Sequence, residues 1–210
     1  MSLRILLADD HQFVRLGLKA LLEREGYEVV GEASDGLEAV RLAQCLQPDV
    51  AVLDICMPLL NGIAAASQIL QHSPKTKPIL LTMYMEDVYV TEAFRAGMRG
   101  YVVKSQMADD LLVAIRKVAE GRLYLSPAIS DTVIQSFVDK SDLPPVTLSA
   151  RETQVLQLLA EGKTTKESGE LLGISVRTVE AHRRNTIAKL GIRDRAGLVR
   201  YAIRRGVIQP

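Results

Sequence analysis

The most constraining feature of the sequence is a regular alternation of short apolar runs with helical patterns over residues 1–121. The apolar runs are RILLAD (4–9), YEVVGEA (27–33), DVAVLDI (49–55), KPILLTM (77–83) and GYVVKS (100–105). Each run is followed by apolar residues at helical spacing, and the last of these segments ends at Gly121. Five strands alternating with five helices predict an α/β fold, a doubly wound five-stranded parallel sheet with helices on both faces.

The rest of the chain has a different character. Residues 122–145 are interpreted as a linker, in which SPAISDTVIQSFV (126–138) could form a short helix before a Pro-Pro break. Residues 146–210 contain four helical patterns, each ending at glycine, and no strand pattern. The sequence therefore predicts an α/β domain at 1–121, a linker at 122–145 and an all-α four-helix domain at 146–210.

Charge is divided unevenly between these parts. The formal net charge of +1 is made up of −5 in residues 1–147 and +6 in residues 148–210. A basic C-terminal part favours a polyanionic partner such as a nucleic acid.

Several features point to the cytoplasm. The two cysteines, Cys45 and Cys56, have neither metal-binding nor redox spacing, which is typical of a reducing compartment. The N-terminus reaches two aspartates too early for a secretory signal. The longest uncharged stretch, residues 55–74, is interrupted by proline, asparagine, glycine and glutamine, so no membrane partner is expected.

Reactive side chains are placed where the predicted strands end. They are Asp9 and Asp10 after the first strand, Asp54 after the third, Thr82 after the fourth and Lys104 after the fifth. Doubly wound sheets bind ligands beyond the carboxyl ends of their strands, so we expect these side chains at one rim. Taken singly, Asp10 could cap a helix, Lys104 could be a solvated charge and Thr82 suits any strand. Their coincidence at matching strand ends favours a shared site.

The residue types at this rim suit phosphoryl chemistry. Three crowded carboxylates repel one another, and Mg²⁺, which prefers oxygen ligands, would relieve that repulsion. Carboxylates serve as phosphoryl acceptors, and Asp54 ends an apolar strand that carries it to the rim. A cation together with Lys104 could neutralise a phosphoryl group on Asp54, and Thr82 could hydrogen-bond one of its oxygens.

The segments LLADD, LDICMPLLNG, LLTM and GYVVKS resemble the flavodoxin-like receiver domain of bacterial two-component response regulators. The resemblance covers residues 1–121 and implies that a sensor histidine kinase phosphorylates Asp54. It also implies a Mg²⁺ site whose ligands are Asp9, Asp10, Asp54 and the backbone carbonyl of Cys56. Thr82 and Lys104 would then read the phosphoryl group.

The same resemblance assigns a switch. Tyr101 matches the receiver aromatic that turns inward when the loop of Thr82 moves, although ordinary packing of a strand tyrosine is an alternative. Cys56 and Tyr84 occupy positions that tune the lifetime of the phosphoryl group in that family.

The stretch TTKESGELLGISVRTVEAHRRNTIAKLG predicts a helix, a tight turn at Gly173 and a second helix capped by Ser175, which is a helix-turn-helix. The inward stripe of the second helix is predicted to be Val176, Val179, Ile187 and Leu190. The opposite face carries Arg177, Glu180, Ala181, Arg184 and Lys189, which suits the major groove of DNA. A solvated basic face is the alternative, and the positive domain charge favours DNA.

Residues 146–208 resemble the LuxR-type DNA-binding domain of NarL/FixJ-type regulators, through LSARETQVLQLLAEGKTTKE, ISVRTVEAH and KLGIRDRAGLVRYAIRRG. The resemblance implies base contacts from Glu180, Ala181 and Arg184. It implies backbone contacts from Lys166, Arg177, Thr178 and Arg183, whereas His182 could pack or contact a phosphate. Leu198, Val199 and Ala202 correspond to the family's dimerisation face, so an active homodimer would read an inverted repeat in double-stranded DNA.

Three positions depart from the family pattern. Ser168 and Thr186 stand where apolar residues, often isoleucine at the first, are usual, and Gly169 replaces a common alanine at a cost of about 1 kcal/mol. We hypothesise a softer core in which the two hydroxyls bond each other or carbonyls one turn back. Isoleucine at both polar positions should then raise the melting temperature. The alternative is that neither hydroxyl is buried.

These features predict a phosphorylation-controlled transcriptional regulator rather than an enzyme. A receiver that serves only as a dimerisation scaffold would not need the five-residue cluster. An aspartate phosphatase would need a second aspartate where Cys56 stands, and a nucleotide-binding flavodoxin-like protein would need a phosphate-cradling turn instead of DDHQFV.

Overall fold

The computed structural model describes residues 2–85, 87–129, 148–192, 194–204 and 207–208. The chain forms two compact units, Met1–Lys140 and Ser141–Pro210. Most of the segment 126–138, in which a short helix was predicted, lies outside the described residues. Among the described residues, no helix combines the length and apolarity needed to cross a bilayer.

The first unit is a parallel sheet with helices between its strands. Its strands are β1 (Arg4–Ala8), β2 (Glu28–Ala33), β3 (Val50–Asp54), β4 (Lys77–Thr82), β5 (Gly100–Val103) and β6 (Tyr124–Leu125). Its helices are α1 (Gln12–Arg24), α2 (Gly36–Leu46), α3 (Gly62–His72), α4 (Asp87–Arg95) and α5 (Met107–Ala119), with a 3₁₀ turn at Lys104–Gln106. The strand order is β2-β1-β3-β4-β5-β6, and every pair is parallel.

This architecture confirms the predicted α/β fold and corrects the strand number from five to six. The five predicted strands are all present, and β6 adds to the edge next to β5. Its two residues are too few to show a periodic pattern in the sequence.

Both faces of the sheet are covered, as the near-continuous apolarity of its strands predicted. Successive residues of β3 alternate between two separate cores, because side chains alternate along a strand. Ala51 and Leu53 belong to the core that contains residues of α2 and α3. Val50 and Val52 belong to the opposite core, which contains residues of α1 and α5.

The second unit is helical, which confirms the prediction for this part of the chain. Its described helices are α6 (Ala150–Ala160), α7 (Thr165–Leu172), α8 (Val176–Leu190) and α9 (Arg195–Arg204). Capping boxes begin α6 at Ser149 and α7 at Thr164. Gly173 and Gly191 end α7 and α8 in the left-handed conformation, with φ of 64° and 68°.

The core of this unit includes part of the face that the sequence assigned to dimerisation. Leu198 is only 6% exposed and Ala202 is fully buried, and both pack with Leu156 in the core of their own unit. These two side chains contribute to the core of their own unit, and a dimerisation role for them stays a prediction. Val199, the third residue of that prediction, is half-buried.

Candidate functional site

The carboxyl ends of β1, β3 and β5 bring three charged side chains together. Asp9 and Asp54 are almost fully buried, at 1% and 3% exposure. The ammonium of Lys104 lies 2.7 Å from Oδ2 of Asp9 and 3.0 Å from Oδ1 of Asp54. A single half-buried cation is thus shared by two carboxylates.

This crowding perturbs the titration of the site. Burial raises the pKa of Asp54 to about 6, and the nearby Lys104 opposes that rise while Asp9 adds to it. Burial lowers the pKa of Lys104, but attraction to Asp54 and Asp9 outweighs it, so the net shift is upward. The lysine stays charged at neutral pH, whereas ionised Asp54 is held at an energetic cost.

A group of four side chains has the donor atoms for a metal ion. Ligand atoms of Asp9, Asp10, His11 and Asp54 all lie within 4.8 Å of one another. The three carboxylates offer the oxygen atoms that Mg²⁺ prefers, so the residues fit that ion.

The sequence interpretation missed His11. Its Nδ1 atom is 2.7 Å from Oδ1 of Asp10 and 3.3 Å from Oδ1 of Asp9, and its backbone N–H donates to Asp9 at 2.8 Å. Adjacency to the Asp-Asp pair was the signal available in the sequence.

The loop after Asp54 approaches the acceptor closely. The N–H of Gly62 donates to the carbonyl of Ile55 at 3.0 Å. A Cβ atom at Gly62 would lie 2.0 Å from the carbonyl oxygen of Asp54, so only glycine fits there. The glycine is required here by this close approach to the backbone of Asp54.

Cys56 lies in the same loop and is an unreactive thiol at neutral pH. It is 6% exposed, and burial together with the nearby Asp54 raises its pKa to about 11. Its Sγ atom is 3.9 Å from the hydroxyl of Tyr84, so these two residues lie side by side near Asp54.

Thr82 and Tyr101 are joined through the backbone of Tyr84. The hydroxyl of Thr82 accepts the Tyr84 N–H at 3.0 Å, and the hydroxyl of Tyr101 donates to the Tyr84 carbonyl at 3.0 Å. Both Thr82 and Tyr101 are fully buried, so Tyr101 is turned inward. The ring of Tyr84 also packs against Tyr89, with centroids 5.0 Å apart.

The second unit presents a basic helix surface. Among the predicted contact residues, the exposed ones are Lys166 on α7 and Arg177, Glu180, Arg183, Arg184 and Lys189 on α8. Thr178, Ala181 and His182 are half-buried.

The inward stripe of α8 is one residue shorter than predicted. Val179 is fully buried, and Ile187 and Leu190 pack on the core. Val176, in contrast, is 42% exposed, because it is the first helical residue and lies beyond the core. It lines an open cavity of about 450 Å³ at the helix-turn-helix turn, together with Lys166 and Ser175.

Lys189 has a partner inside its own unit. Its ammonium lies 2.6 Å from the carboxylate of Glu152, which is 4% exposed and belongs to the capping box of α6. Burial raises the pKa of Glu152, but the bonds from Lys189 and Ser149 outweigh it and lower the pKa overall. This ion pair connects the end of α8 to the start of α6, so a DNA contact by Lys189 would have to compete with Glu152.

The two polar departures from the family pattern are both buried. Ser168 is fully buried and Thr186 is 2% exposed. The hydroxyl of Ser168 donates to the carbonyl of Thr164 at 2.8 Å, and that of Thr186 donates to the carbonyl of His182 at 2.9 Å. These bonds confirm the predicted pairing with carbonyls one turn back and exclude the alternative of exposed hydroxyls.

Comparison with known families matches both units. The family described as the response regulator receiver domain matches residues 5–116, and that described as bacterial regulatory proteins of the luxR family matches residues 146–202. The transcriptional regulatory protein LiaR of Bacillus subtilis is 40% identical over 209 residues, which are 98% of this chain and 99% of LiaR. The oxygen regulatory protein NreC of Staphylococcus aureus is 36% identical over 216 residues, 99% of this chain and 100% of NreC.

Solved structures of response regulators also match this chain. A LuxR-family two-component response regulator from Aurantimonas sp. SI85-9A1 is 38% identical, with a TM-score of 0.64 over 66% of this chain and 100% of its own. RcsB of Salmonella enterica serovar Typhimurium, bound to a promoter in the presence of phosphomimetic BeF3-, is 26% identical. Its TM-score is 0.65 over 96% of this chain and 98% of its own.

Proposed function

Because the chain belongs to the response regulators, with a receiver domain followed by a LuxR-type DNA-binding domain, we propose that phosphorylation of Asp54 controls its binding to DNA. The observation that carries this proposal is the position of Lys104, whose ammonium bridges the buried carboxylates of Asp9 and Asp54. We assign phosphoryl acceptance to residues 1–121, DNA recognition to residues 146–210 and the connection to residues 122–145. A sensor histidine kinase is the proposed phosphoryl donor.

The proposed reaction at Asp54 transfers a phosphoryl group from a histidine nitrogen to a carboxylate oxygen. A carboxylate oxygen of Asp54 attacks the phosphorus of a phosphohistidine, the P–N bond breaks and an O–P bond forms. Lys104 lies close enough to pair with the new negative charge. Asp9, Asp10, Asp54 and the backbone carbonyl of Cys56 would hold Mg²⁺, which supplies further positive charge when bound.

The hydrogen bonds that Thr82 and Tyr101 form with the backbone of Tyr84 suggest how the phosphoryl group is read. A phosphoryl oxygen at Asp54 would accept the hydrogen of the Thr82 hydroxyl, whose oxygen can still accept the Tyr84 N–H. Tyr84 would then move together with Thr82, and the bond from the Tyr101 hydroxyl to its carbonyl would hold Tyr101 inward. Phosphorylation would shift the balance between two arrangements of this loop.

DNA recognition is proposed for the exposed face of α8. Glu180, Ala181 and Arg184 would face bases, and Lys166, Arg177, Thr178 and Arg183 would contact the backbone. We leave His182 as a packing or phosphate contact, and we omit Lys189 because it pairs with Glu152. A homodimer on an inverted repeat is proposed, and RcsB has been solved as dimers on DNA. A DNA-binding role requires access to the chromosome, so a cytoplasmic location is part of the proposal.

The first experiment is intact mass after incubation with acetyl phosphate and Mg²⁺, for wild type and Asp54→Asn. One added phosphoryl group on wild type alone would support the proposal, and DNA affinity of the two samples would then be compared. No adduct, or an adduct on both proteins, would favour a receiver that acts only as a dimerisation scaffold.

A further inference from the structure

The two-residue strand β6 attaches the start of the linker to the strand that carries the switch tyrosine. The N–H of Tyr124 donates to the carbonyl of Arg99 at 2.9 Å. The N–H of Ser126 donates to the carbonyl of Tyr101, also at 2.9 Å. β5 thus carries Tyr101, leads directly into Lys104 and is paired along its edge with the segment that leaves the receiver domain.

Ser126 is the polar centre of this junction. Its side chain is fully buried, and its hydroxyl accepts the N–H of Val103 at 3.2 Å and donates to the carboxylate of Asp110 in α5. Val103 immediately precedes Lys104. One hydroxyl therefore connects the end of β5, the end of β6 and the first turns of α5.

Apolar and ionic contacts fix the same segment on both faces of the sheet. Ile129 is fully buried in the core that also contains Tyr101, and its N–H donates to the carbonyl of Ser126 at 3.0 Å. On the other face, Tyr124 is 6% exposed, and the ammonium of Lys117 lies 5.2 Å from the centre of its ring. We refer to residues 124–129 as the exit segment.

We propose that Ser126 is a positioning residue that couples the phosphoryl group on Asp54 to the DNA-binding domain. The exit segment is held on β5 through the Val103 N–H and the Tyr101 carbonyl, so its docking depends on the position of β5. A phosphoryl group that pairs with Lys104 and favours inward Tyr101 would strengthen both anchors at once. The exit segment is docked on β5 when Tyr101 is turned inward, and Ser126 stabilises this docked arrangement. This inference rests on the proposed function.

The test is a comparison of DNA affinity for wild type, Ser126→Ala and Ser105→Ala, each unphosphorylated and each phosphorylated to the same extent by intact mass. Ser105→Ala is the matched control because it loses the same atom from an exposed serine on the other side of Lys104. We expect Ser126→Ala to reduce the gain in affinity on phosphorylation about fivefold, the factor associated with one neutral hydrogen bond. The control should keep the wild-type gain.

Hydrogen exchange supplies a readout that a purely structural role would not move. In wild type, phosphorylation should slow amide exchange in the exit segment, and in Ser126→Ala it should not. Should Ser126→Ala fail to fold, Asp110→Ala removes the partner of the hydroxyl and is expected to reduce the gain in the same direction.

The outcomes separate the two claims. A wild-type chain that takes no phosphoryl group, or gains no DNA affinity from one, would overturn the proposed function and this inference with it. If Ser126→Ala or Asp110→Ala keeps the full wild-type gain in DNA affinity on phosphorylation, only the coupling role of Ser126 is overturned.

Discussion

The ammonium of Lys104 lies 3.0 Å from Oδ1 of Asp54 and 2.7 Å from Oδ2 of Asp9, so one positive charge serves two buried carboxylates. Exposed Asp10, which lies beside them with His11, adds a third carboxylate within reach of the same point. The site therefore carries an excess of negative charge when all three are ionised. Burial is the main reason that the pKa of Asp54 rises to about 6, and Lys104 offsets only part of that rise.

The raised pKa predicts that Asp54 destabilises the cation-free chain at neutral pH. Its pKa is 3.8 in the ordinary case and about 6 in the fold, so the folded chain binds the proton more tightly. The stabilisation that this tighter proton binding gives the fold is fully present below pH 3.8 and is lost as pH rises through 6. At about 1.4 kcal/mol per pKa unit the cost is on the order of 3 kcal/mol. We expect Asp54→Asn to be more stable than wild type in urea denaturation at pH 7.5 with a chelator.

Two controls accompany this measurement. The advantage of Asp54→Asn should shrink at pH 4.5, and added Mg²⁺ should raise the urea midpoint of wild type more than that of the variant. Asp109→Asn removes an exposed carboxylate from the same domain and should change little. Equal stability of wild type and Asp54→Asn across the pH range would contradict the account of the site.

The sequence predicted the rim of the receiver domain well, for a physical reason. Parallel strands end at one edge, so Asp9, Asp54 and Lys104 could be brought together without knowledge of any distance. The strand β6 escaped prediction because two residues carry no period, although they determine where the linker begins.

Packing between helices was less predictable. Leu198 and Ala202 formed an apolar face on α9, and a face shows only that something covers it, not whether that is the same domain or a second copy. Val176 fitted the inward stripe by spacing, but its place at the first turn of α8 puts it beyond the core. The partner of Lys189 lies 37 residues away in the sequence, which no local pattern reveals.

The ion pair between Lys189 and Glu152 predicts different effects for two cations on α8. Lys189→Gln leaves the buried carboxylate of Glu152 without its cation, and we expect a loss of about 1 kcal/mol, since the lysine is partly exposed. Its DNA binding should keep the wild-type dependence on salt. Arg183→Gln, at a proposed backbone contact, should keep the wild-type melting temperature and lower the slope of log affinity against log salt by about 1.

Thermal melting and DNA titrations at several salt concentrations, on both full-length variants, check this pair of expectations. A lower salt slope for Lys189→Gln with no change in melting temperature would return Lys189 to the DNA contacts.

Gly169 predicts an exception to the usual benefit of alanine in a helix. A Cβ atom there would lie 2.8 Å from the carbonyl oxygen of Ile174, whose N–H donates to the carbonyl of Gly169 at 3.0 Å. The glycine thus lets the helix-turn-helix turn close on α7. We expect Gly169→Ala to lower the stability of the second unit, even though alanine favours helix by about 1 kcal/mol.

Gly17 is the matched control for that substitution. It is an exposed helical glycine in α1, and a Cβ atom there meets nothing within 4 Å. Gly17→Ala should therefore stabilise its unit by about 1 kcal/mol. Calorimetry of both full-length variants would detect the opposite signs, and a stabilised Gly169→Ala would show that the turn can move aside.

Thr186 predicts that the softer core of the DNA-binding domain can be strengthened without added volume. Its buried hydroxyl donates to the carbonyl of His182, which lies one turn back in the same helix and takes the usual helical bond as well. Thr186→Val keeps the shape of the side chain and replaces this redundant bond with a buried methyl group, so we expect a gain of about 0.5–1 kcal/mol. Thr165→Val makes the same chemical change at a half-exposed position and should stay within about 0.5 kcal/mol of wild type. Replacing both Ser168 and Thr186 by isoleucine should also raise the stability of the domain if the core accepts the extra methylene groups. If it does not, overpacking strains neighbouring side chains and lowers the stability. A lower urea midpoint for Thr186→Val would show that the hydroxyl stabilises α8, and that the polar residues of this core are not its weak point.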